Sequence, residues 1–418
     1  MVLGIFGGNG GITQMLLSFV MLMAFFLLFP RLMIFQVLYK IRSALTDLED
    51  NAQATEDLFV NHATTGDAEA TRKTLEPMKN MVVSPPVSMD PAGMFDKMEH
   101  VLDSSEDKMQ DYVDTIAPGA DERERANLTM AFKGVYGTNQ LYVLIRHFKN
   151  LIEETSNYQL GGMIKMMLPL YKEMSDSQKK AAEAFVNEVP IGDTVGPMVA
   201  ASLMHSEPKE AGEDIVYSEE ELDGNEYIVV KSNGPAASLG KYGDAVEELV
   251  EDNDISTIIT VDAGMRYEGE ETGTVVDGTG VLMGGPGVEK GKIEAVATDN
   301  DIPLEGYVIK QSGPEASKPM HRKIWDGKED ALAYVRDDIR NQDGTTLVVG
   351  VGNTCGAGNS RESLEGLEAK LQPYWAEQEE ESPSYFGLMK AFPVGGGGDM
   401  HPRQHDANTF ELFQRMVR

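Results

Sequence analysis

The sequence predicts an α/β protein with an N-terminal transmembrane helix, a helical domain, and then a mostly parallel, Rossmann-like α/β sheet domain. Three observations predict it. No charge occurs before Arg31 in a strongly apolar stretch, and apolar residues recur at helical spacing from about residue 94 to 205. After residue 226 the pattern changes to short apolar runs alternating with amphipathic segments, the signature of a parallel sheet covered on both faces.

The opening run, "MLLSFVMLMAFFLLFPRLMIFQVLY", approaches the ~20 residues a helix needs to cross a bilayer, so residues 12–39 are read as a transmembrane and interfacial helix in contact with lipid. A secretory signal would carry a positive front end and a small-residue cleavage site, and "MVLGIFGGNGG" offers neither. Arg31, Lys40 and Arg42 all follow the apolar run, so the positive-inside bias puts residues 1–11 outside and the remaining domains in the cytoplasm. A single cysteine, Cys355, excludes an internal disulfide and agrees with a reducing compartment.

Asp and Glu number 68 against 36 Lys and Arg, for a formal charge of -32, and the excess is spread along the chain. This balance argues against nucleic-acid binding. It suits a halophilic cytoplasm, where a Debye length of ~3 Å at 1 M salt screens self-repulsion.

Residues 40–88 read as a polar helical stalk and linker with sparse apolar positions, among them Ile41, Leu45, Leu48, Leu58 and Phe59. Residues 89–205 form the helical domain, opened by Asp90 as N-cap with Pro91 behind it, and offering a surface for possible homo-oligomers. Pro190, Gly192, Gly196 and Pro197 cannot sit in one unbroken helix, so a turn and a short helix are expected there. Residues 206–226 are charged and read as an acidic linker. Residues 227–418 are then the α/β domain with a C-terminal helix, its strands "YIVV", "STIITVDA", "LEGYVIKQS" and "TTLVVGVG".

Open α/β sheets bind ligands at the carboxyl ends of their strands, and four glycine-rich loops are expected there. The first, "NGPAASLGKYG", carries Gly234, Gly240 and Lys241; it is one residue too long for a phosphate loop and has Tyr242 where the magnesium-binding hydroxyl belongs. Lys241 and Asp262 remain candidate anion and cation contacts. The second places Asp262, Arg266, Glu268 and Glu270 close together, where a guanidinium fork could take a phosphate or the carboxylates a cation. The third, "GVLMGGPGVEKGKIE", leads Gly284, Gly285 and Gly287 into a helix N-terminus, a favourable place for an anion. The fourth, "VVGVGNTCGAGN", has Gly350, Gly352, Asn353 and Gly356 before a helix, with the last glycine one residue late for a dinucleotide fingerprint.

A tail cluster, Asp399, His401, His405 and Asp406, offers acceptable ligands for a hard or borderline metal. Cys355 would serve as a nucleophile only with a base beside it, and the sequence supplies none. No pattern assigns a catalytic residue or a cofactor. The expected function is a membrane-anchored module that binds a nucleotide or other phosphate-bearing small molecule in a sensor role. The alternatives are a metal-assisted hydrolase using Asp262, Glu268, Glu270 or the tail cluster, and a self-assembling membrane scaffold.

The segments "AFVNEVPIGDTVGPMVAASLM", "GVLMGGPGVEKGKIEAVA", "VIKQSGPEASKPM", "VVGVGNTCGAGN" and "HDANTFELFQRMV" together resemble an archaeal family of proteins about this long, known only as a domain of unknown function. The resemblance covers nearly the whole chain and implies an archaeal, membrane-anchored cytoplasmic protein. It carries no activity and no catalytic residues.

Overall fold

The computed structural model describes residues 12–63, 67–83, 93–267, 269–285 and 287–381. The chain divides into two compact units, Met1–Trp375 and Ala376–Arg418. Of the second, only residues 376–381 are described, as the end of a helix. The expected N-cap Asp90, Glu268 and the tail residues Asp399, His401, His405 and Asp406 lie outside the described residues.

Helix α1 (Ile12–Ala63) runs through Pro30 without a break. Among the described residues it is the one helix long and apolar enough to cross a membrane, and its most apolar stretch is not buried. Helix α2 (Ala68–Met78) is capped by Asp67, whose carboxylate accepts from the N–H groups of Glu69 and Ala70. Helix α3 (Met94–Ile116) starts after Gly93. Helix α4 (Glu122–Thr155) is capped by Asp121 and α5 (Tyr158–Asn187) by Asn157, so three of these helices begin on the residue type that best satisfies the free N-terminal amides.

The part of α1 read as a sparse polar stalk is instead a packed helix. Ile41, Ala44 and Leu48, with Val37 from the end of the segment read as interfacial, bury against Ile145 and Ile152 of α4 and Ile164 and Leu168 of α5. Farther along, Phe59 and Val60 join Leu75, Val113 and Phe132 in the main core. The apolar positions are few but fall on one stripe, and two helices cover it.

A 3-10 turn at Gly192–Thr194 and helix α6 (Val195–Ala201) follow, where a turn and short helix were expected. All seven residues of α6 are buried, against the sheet. The sheet has seven strands: β1 (Lys209–Glu210), β2 (Ile215–Leu222), β3 (Asn225–Ser232), β4 (Ile255–Met265), β5 (Val275–Thr279), β6 (Leu304–Gln311) and β7 (Thr345–Gly350), in the order β1-β2-β3-β7-β4-β6-β5. The four central strands β3, β7, β4 and β6 are mutually parallel, and β1, β2 and β5 add antiparallel edges. Thus the mostly parallel α/β sheet is present, but residues 206–226 are not a linker. They contain β2, which pairs with β3 from Ile215↔Ser232 to Leu222↔Asn225. Asp223 and Gly224, with φ of 55° and 96°, form the turn. An Asp-Gly pair at positive φ is the strongest short hairpin signal, and its acidic flank hid it.

Helices α7 (Tyr242–Asp252), α8 (Val288–Asp299), α9 (Gly313–Ser317), α10 (Arg322–Asn341) and α11 (Leu367–Glu381) complete the fold. Val246 and Leu249 of α7 and Ile293 of α8 pack with Ile258, Leu347 and Val349 on one face of the sheet. Met198 of α6 and Val335 of α10 pack with Val229, Ile259 and Val348 on the other. Trp375 closes that second layer: it is buried, its indole N–H donates to the Met320 carbonyl at 2.8 Å, and its ring meets Trp325 edge-on at 6.0 Å. Trp375→Ala is expected to cost about 3–5 kcal/mol, read as a fall in denaturation midpoint.

Candidate functional site

At the carboxyl ends of β3, β4 and β7 the chain leaves a cleft of about 630 Å³. In the C-terminal part of β4 stands Asp262, 3 % exposed, whose carboxylate accepts N–H bonds from Gly284 at 2.7 Å and Ala263 at 2.5 Å. Facing it is Asp193 of the Gly192–Thr194 turn, which accepts the N–H of Asn353 at 2.9 Å. Burial raises the pKa of both carboxyls. Asp193 raises that of Asp262 further by charge repulsion, well above the ordinary carboxylate range.

The floor of the cleft is rigid. Tyr242, the first residue of α7, is buried, and its hydroxyl is hydrogen-bonded to Ser232 Oγ at 2.8 Å and to the Gly350 carbonyl at 3.0 Å. This ties the start of α7 to the ends of β3 and β7 beneath the carboxylates. Burial pushes the phenol pKa up.

The wall is acidic. Helix α3 contributes Glu99, Asp103, Glu106 and Asp107, the β1–β2 turn Glu213 and Asp214, and α8 Glu289. Lys241 lines the cleft but is already paired, with Glu213 at 2.9 Å and Asp103 at 3.3 Å, and these hydrogen bonds raise its pKa. Lys292 likewise binds Glu99 and Asp244 at 2.8 and 2.6 Å. Through these pairs α3 is fastened across the mouth of the cleft.

Of the candidate residues, Gly240, Lys241, Asp262, Gly284, Gly285, Gly287 and Gly352 line this one cleft. Their roles differ. A Cβ on Gly352, whose φ is +137°, would come 2.0 Å from the Asp193 carbonyl, and one on Gly240 would come 2.4 Å from Ile215 Cδ1. These two glycines, and Gly350 beneath the floor with Ala200 and Gly196 against it, admit the protein's own neighbours. By contrast, a Cβ on Gly285 or Gly287 would meet nothing within 4 Å, and one on Gly284 only Asp262 Oδ2 at 3.9 Å. Gly287 is also the N-cap of α8, with no side chain bonding the first-turn amides. Among the described residues, Gly284, Gly285 and Gly287 are therefore the candidate glycines whose open space faces the cleft.

The remaining candidates fall elsewhere. Arg266 is tied to Glu315 at 3.5 Å and to the Glu270 carbonyl at 3.2 Å, beyond the end of β6, and Glu270 caps the Tyr267 N–H. Asn353 is buried and holds its own loop, accepting from the Cys355 N–H at 2.9 Å. The Cys355 thiol donates to the Val189 carbonyl at 3.2 Å, and burial raises its pKa, so it stays a thiol. Gly234 and Gly356 line a smaller hollow of about 520 Å³ with Arg123, Asn359 and Lys370.

Two functional candidates escaped the sequence reading. Asp193 is the one charge in the apolar run of residues 189–204, which is the signal that could have found it. Lys231 ends β3 wholly buried, its ammonium donating to the Ser232 carbonyl and Asn359 Oδ1, both at 2.7 Å. Burial pulls its pKa down to about 7. Unfolded lysine titrates near 10.4, so between these values the unfolded chain holds the extra proton and stability rises with pH. Lys231→Met is expected to flatten that rise, measured as denaturation midpoints from pH 7 to 10.

No curated protein and no solved structure matches the chain. Two family models do: the N-terminal domain of DUF1512, a protein of unknown function, over residues 15–188, and the C-terminal domain of DUF1512 over residues 191–358. Their junction falls just before the turn that carries Asp193, so α6 goes with the sheet it packs on. With both halves matched in order, the chain belongs to the DUF1512 family of proteins of unknown function.

Proposed function

We propose that this protein is a membrane-anchored binding module whose cleft takes a nucleotide or other phosphate-bearing small molecule together with a divalent cation. The observation that carries the reading is that the open glycines Gly284, Gly285 and Gly287 line the same cleft as the carboxylate pair Asp193 and Asp262. A bare phosphate would meet an acidic wall. Magnesium is commonly held by one or two carboxylates plus substrate phosphates, which suits this pair and turns the wall from an obstacle into a counter-charge. The uncapped amides at the start of α8 would take the phosphate oxygens.

In this reading α1 crosses the bilayer with its N-terminal end outside, and the cleft lies in a salt-rich, archaeal cytoplasm. Helix α3 supplies the sensor link, because its Asp103 is fastened to Lys241, which lines the cleft, and its Glu99 to Lys292 of α8. The second reading is metal-assisted hydrolysis of the same ligand. It is favoured by the pair Asp193 and Asp262, since neighbouring carboxyls with raised pKa values can hold and release one proton near a bound water.

The test is thermal denaturation of the full chain in detergent at molar salt, with magnesium alone, ATP alone and both together. Saturation at 100 times the dissociation constant adds ~2.7 kcal/mol. The proposal expects a shift from the pair of ligands larger than from either alone, and loss of it in Gly285→Val. Equal melting under all conditions with ATP and with pyrophosphate contradicts it. Release of phosphate in the same samples would select the hydrolase reading.

A further inference from the structure

Helix α5 runs parallel to α1 at a constant offset. Gly161 lies against Val37, where an added Cβ would come 2.7 Å from Val37 Cγ1, Lys172 pairs with Asp47 at 2.5 Å, and Asn51 donates to Ser175 at 3.4 Å. Helix α4 returns alongside, with Glu153 on Arg42 at 2.8 Å and Tyr142 on Glu49 at 3.0 Å. The α4–α5 hairpin therefore points its tip, Ser156 and Asn157, back along α1 toward the apolar end. By this register Tyr158 stands level with Ile34 and Met163 with Tyr39.

The uncharged run of α1 ahead of Arg31, residues 12–30, is about 28 Å long at 1.5 Å per residue, close to the thickness of a bilayer's hydrocarbon core. Its cytoplasmic boundary then falls at Arg31, within about one helical turn of the level of the hairpin tip. The tip itself is polar at Glu154, Thr155, Ser156 and Asn157, and the exposed apolar side chains next to it are Tyr158, 51 % exposed, and Met163, 66 %. Lys165 is exposed beside them. A tyrosine and a methionine with a neighbouring cation form the composition of a head-group contact.

We propose that the tip of the α4–α5 hairpin is embedded in the head-group layer, so that the helical domain is fixed to the bilayer at a second point and cannot swing about α1. This rests on the reading of α1 as a membrane span, and the test separates the two. Met21→Cys (span), Met163→Cys (tip) and Tyr334→Cys (exposed on α10) are each labelled with an environment-sensitive fluorophore in the full chain, the native Cys355 being buried. The proteins are reconstituted in phosphatidylcholine vesicles with anionic lipid, with and without brominated acyl chains.

The proposal expects blue-shifted emission and brominated-lipid quenching at Met21 and Met163, and neither at Tyr334. Quenching at Met21 without quenching at Met163 overturns the tip contact and leaves the span standing. No quenching at Met21 overturns the span and the tip contact together. An unquenched Met163 position that forms intermolecular disulfides when left unlabelled overturns the proposal in favour of self-assembly through this face.

Discussion

Gly352→Val is expected to abolish folding. The residue sits at φ +137°, a conformation that branched side chains do not adopt, and its Cα faces the Asp193 carbonyl so closely that a Cβ would lie 2.0 Å from that oxygen and 3.1 Å from Pro197 Cδ. Neither neighbour is the end of a flexible side chain. The turn at Gly192–Thr194 and the loop after β7 would have to separate, which breaks the Asp193–Asn353 hydrogen bond and unseats α6 from the sheet. The cost is expected to exceed about 5 kcal/mol, comparable with the whole stability of a typical domain. Gly285→Ala is the contrast: with positive φ but open space around it, about 1–2 kcal/mol is expected. Yields of soluble folded protein and urea midpoints of the two variants check both statements. A Gly352→Val protein with a near-native midpoint would contradict this account of the glycine.

That contrast also says how far the site was legible in the sequence. Strand-to-helix glycines could be counted, but whether a missing Cβ makes room for a ligand or for the chain's own carbonyl depends on residues far away in sequence. Gly352 is shaped by Asp193 and Pro197, Gly350 by Ala200 and Gly196, and Gly240 by Ile215. Among the candidate glycines, only Gly284, Gly285 and Gly287 have nothing nearer than 3.9 Å to an added Cβ. Asp262 was legible because it directly follows the apolar run of β4. Asp193 was not, because it reaches the site from the turn before α6, a stretch that reads as the end of the helical domain.

The fold shows the same division. The central strands β3, β4 and β7 carry continuous apolar runs and β6 the shorter Tyr-Val-Ile, and the sequence pattern places all four. β2 carries Ser-Glu-Glu-Glu and is read as linker unless the Asp223–Gly224 turn is noticed. Its acidic residues are tolerated because it lies toward the edge of the sheet, between β3 and the two-residue β1. The C-terminal half of α1 shows a stripe of single apolar residues, which is a stalk if nothing covers it and a core if α4 and α5 do.

Asp262→Asn is the second change with a large expected effect, and it acts on pH dependence and on cation binding. In the wild type the buried Asp262 has a raised pKa, caused first by burial and then by Asp193. The folded chain therefore keeps a proton that the unfolded chain, with a carboxyl near pH 4, has already released. Folding is favoured below that pH, and stability falls as pH rises from about 4 through the raised folded value. Asp262→Asn removes that fall while keeping a side-chain oxygen to accept the Gly284 N–H, so the variant is expected to be more stable than wild type on the alkaline side. A divalent cation should do for the wild type what the substitution does, by neutralising the pair, and should do nothing for the variant.

The measurement that tests the central claim most directly is a titration of the full chain with manganese, followed by electron paramagnetic resonance of the free ion, with and without pyrophosphate. The account predicts one site per chain that tightens when pyrophosphate is present. In Asp262→Asn it is expected to weaken by at least about 100-fold, the upper range seen when groups supporting a metal site are lost. Manganese binding of equal strength in wild type and Asp262→Asn, or no binding with pyrophosphate present, would contradict it.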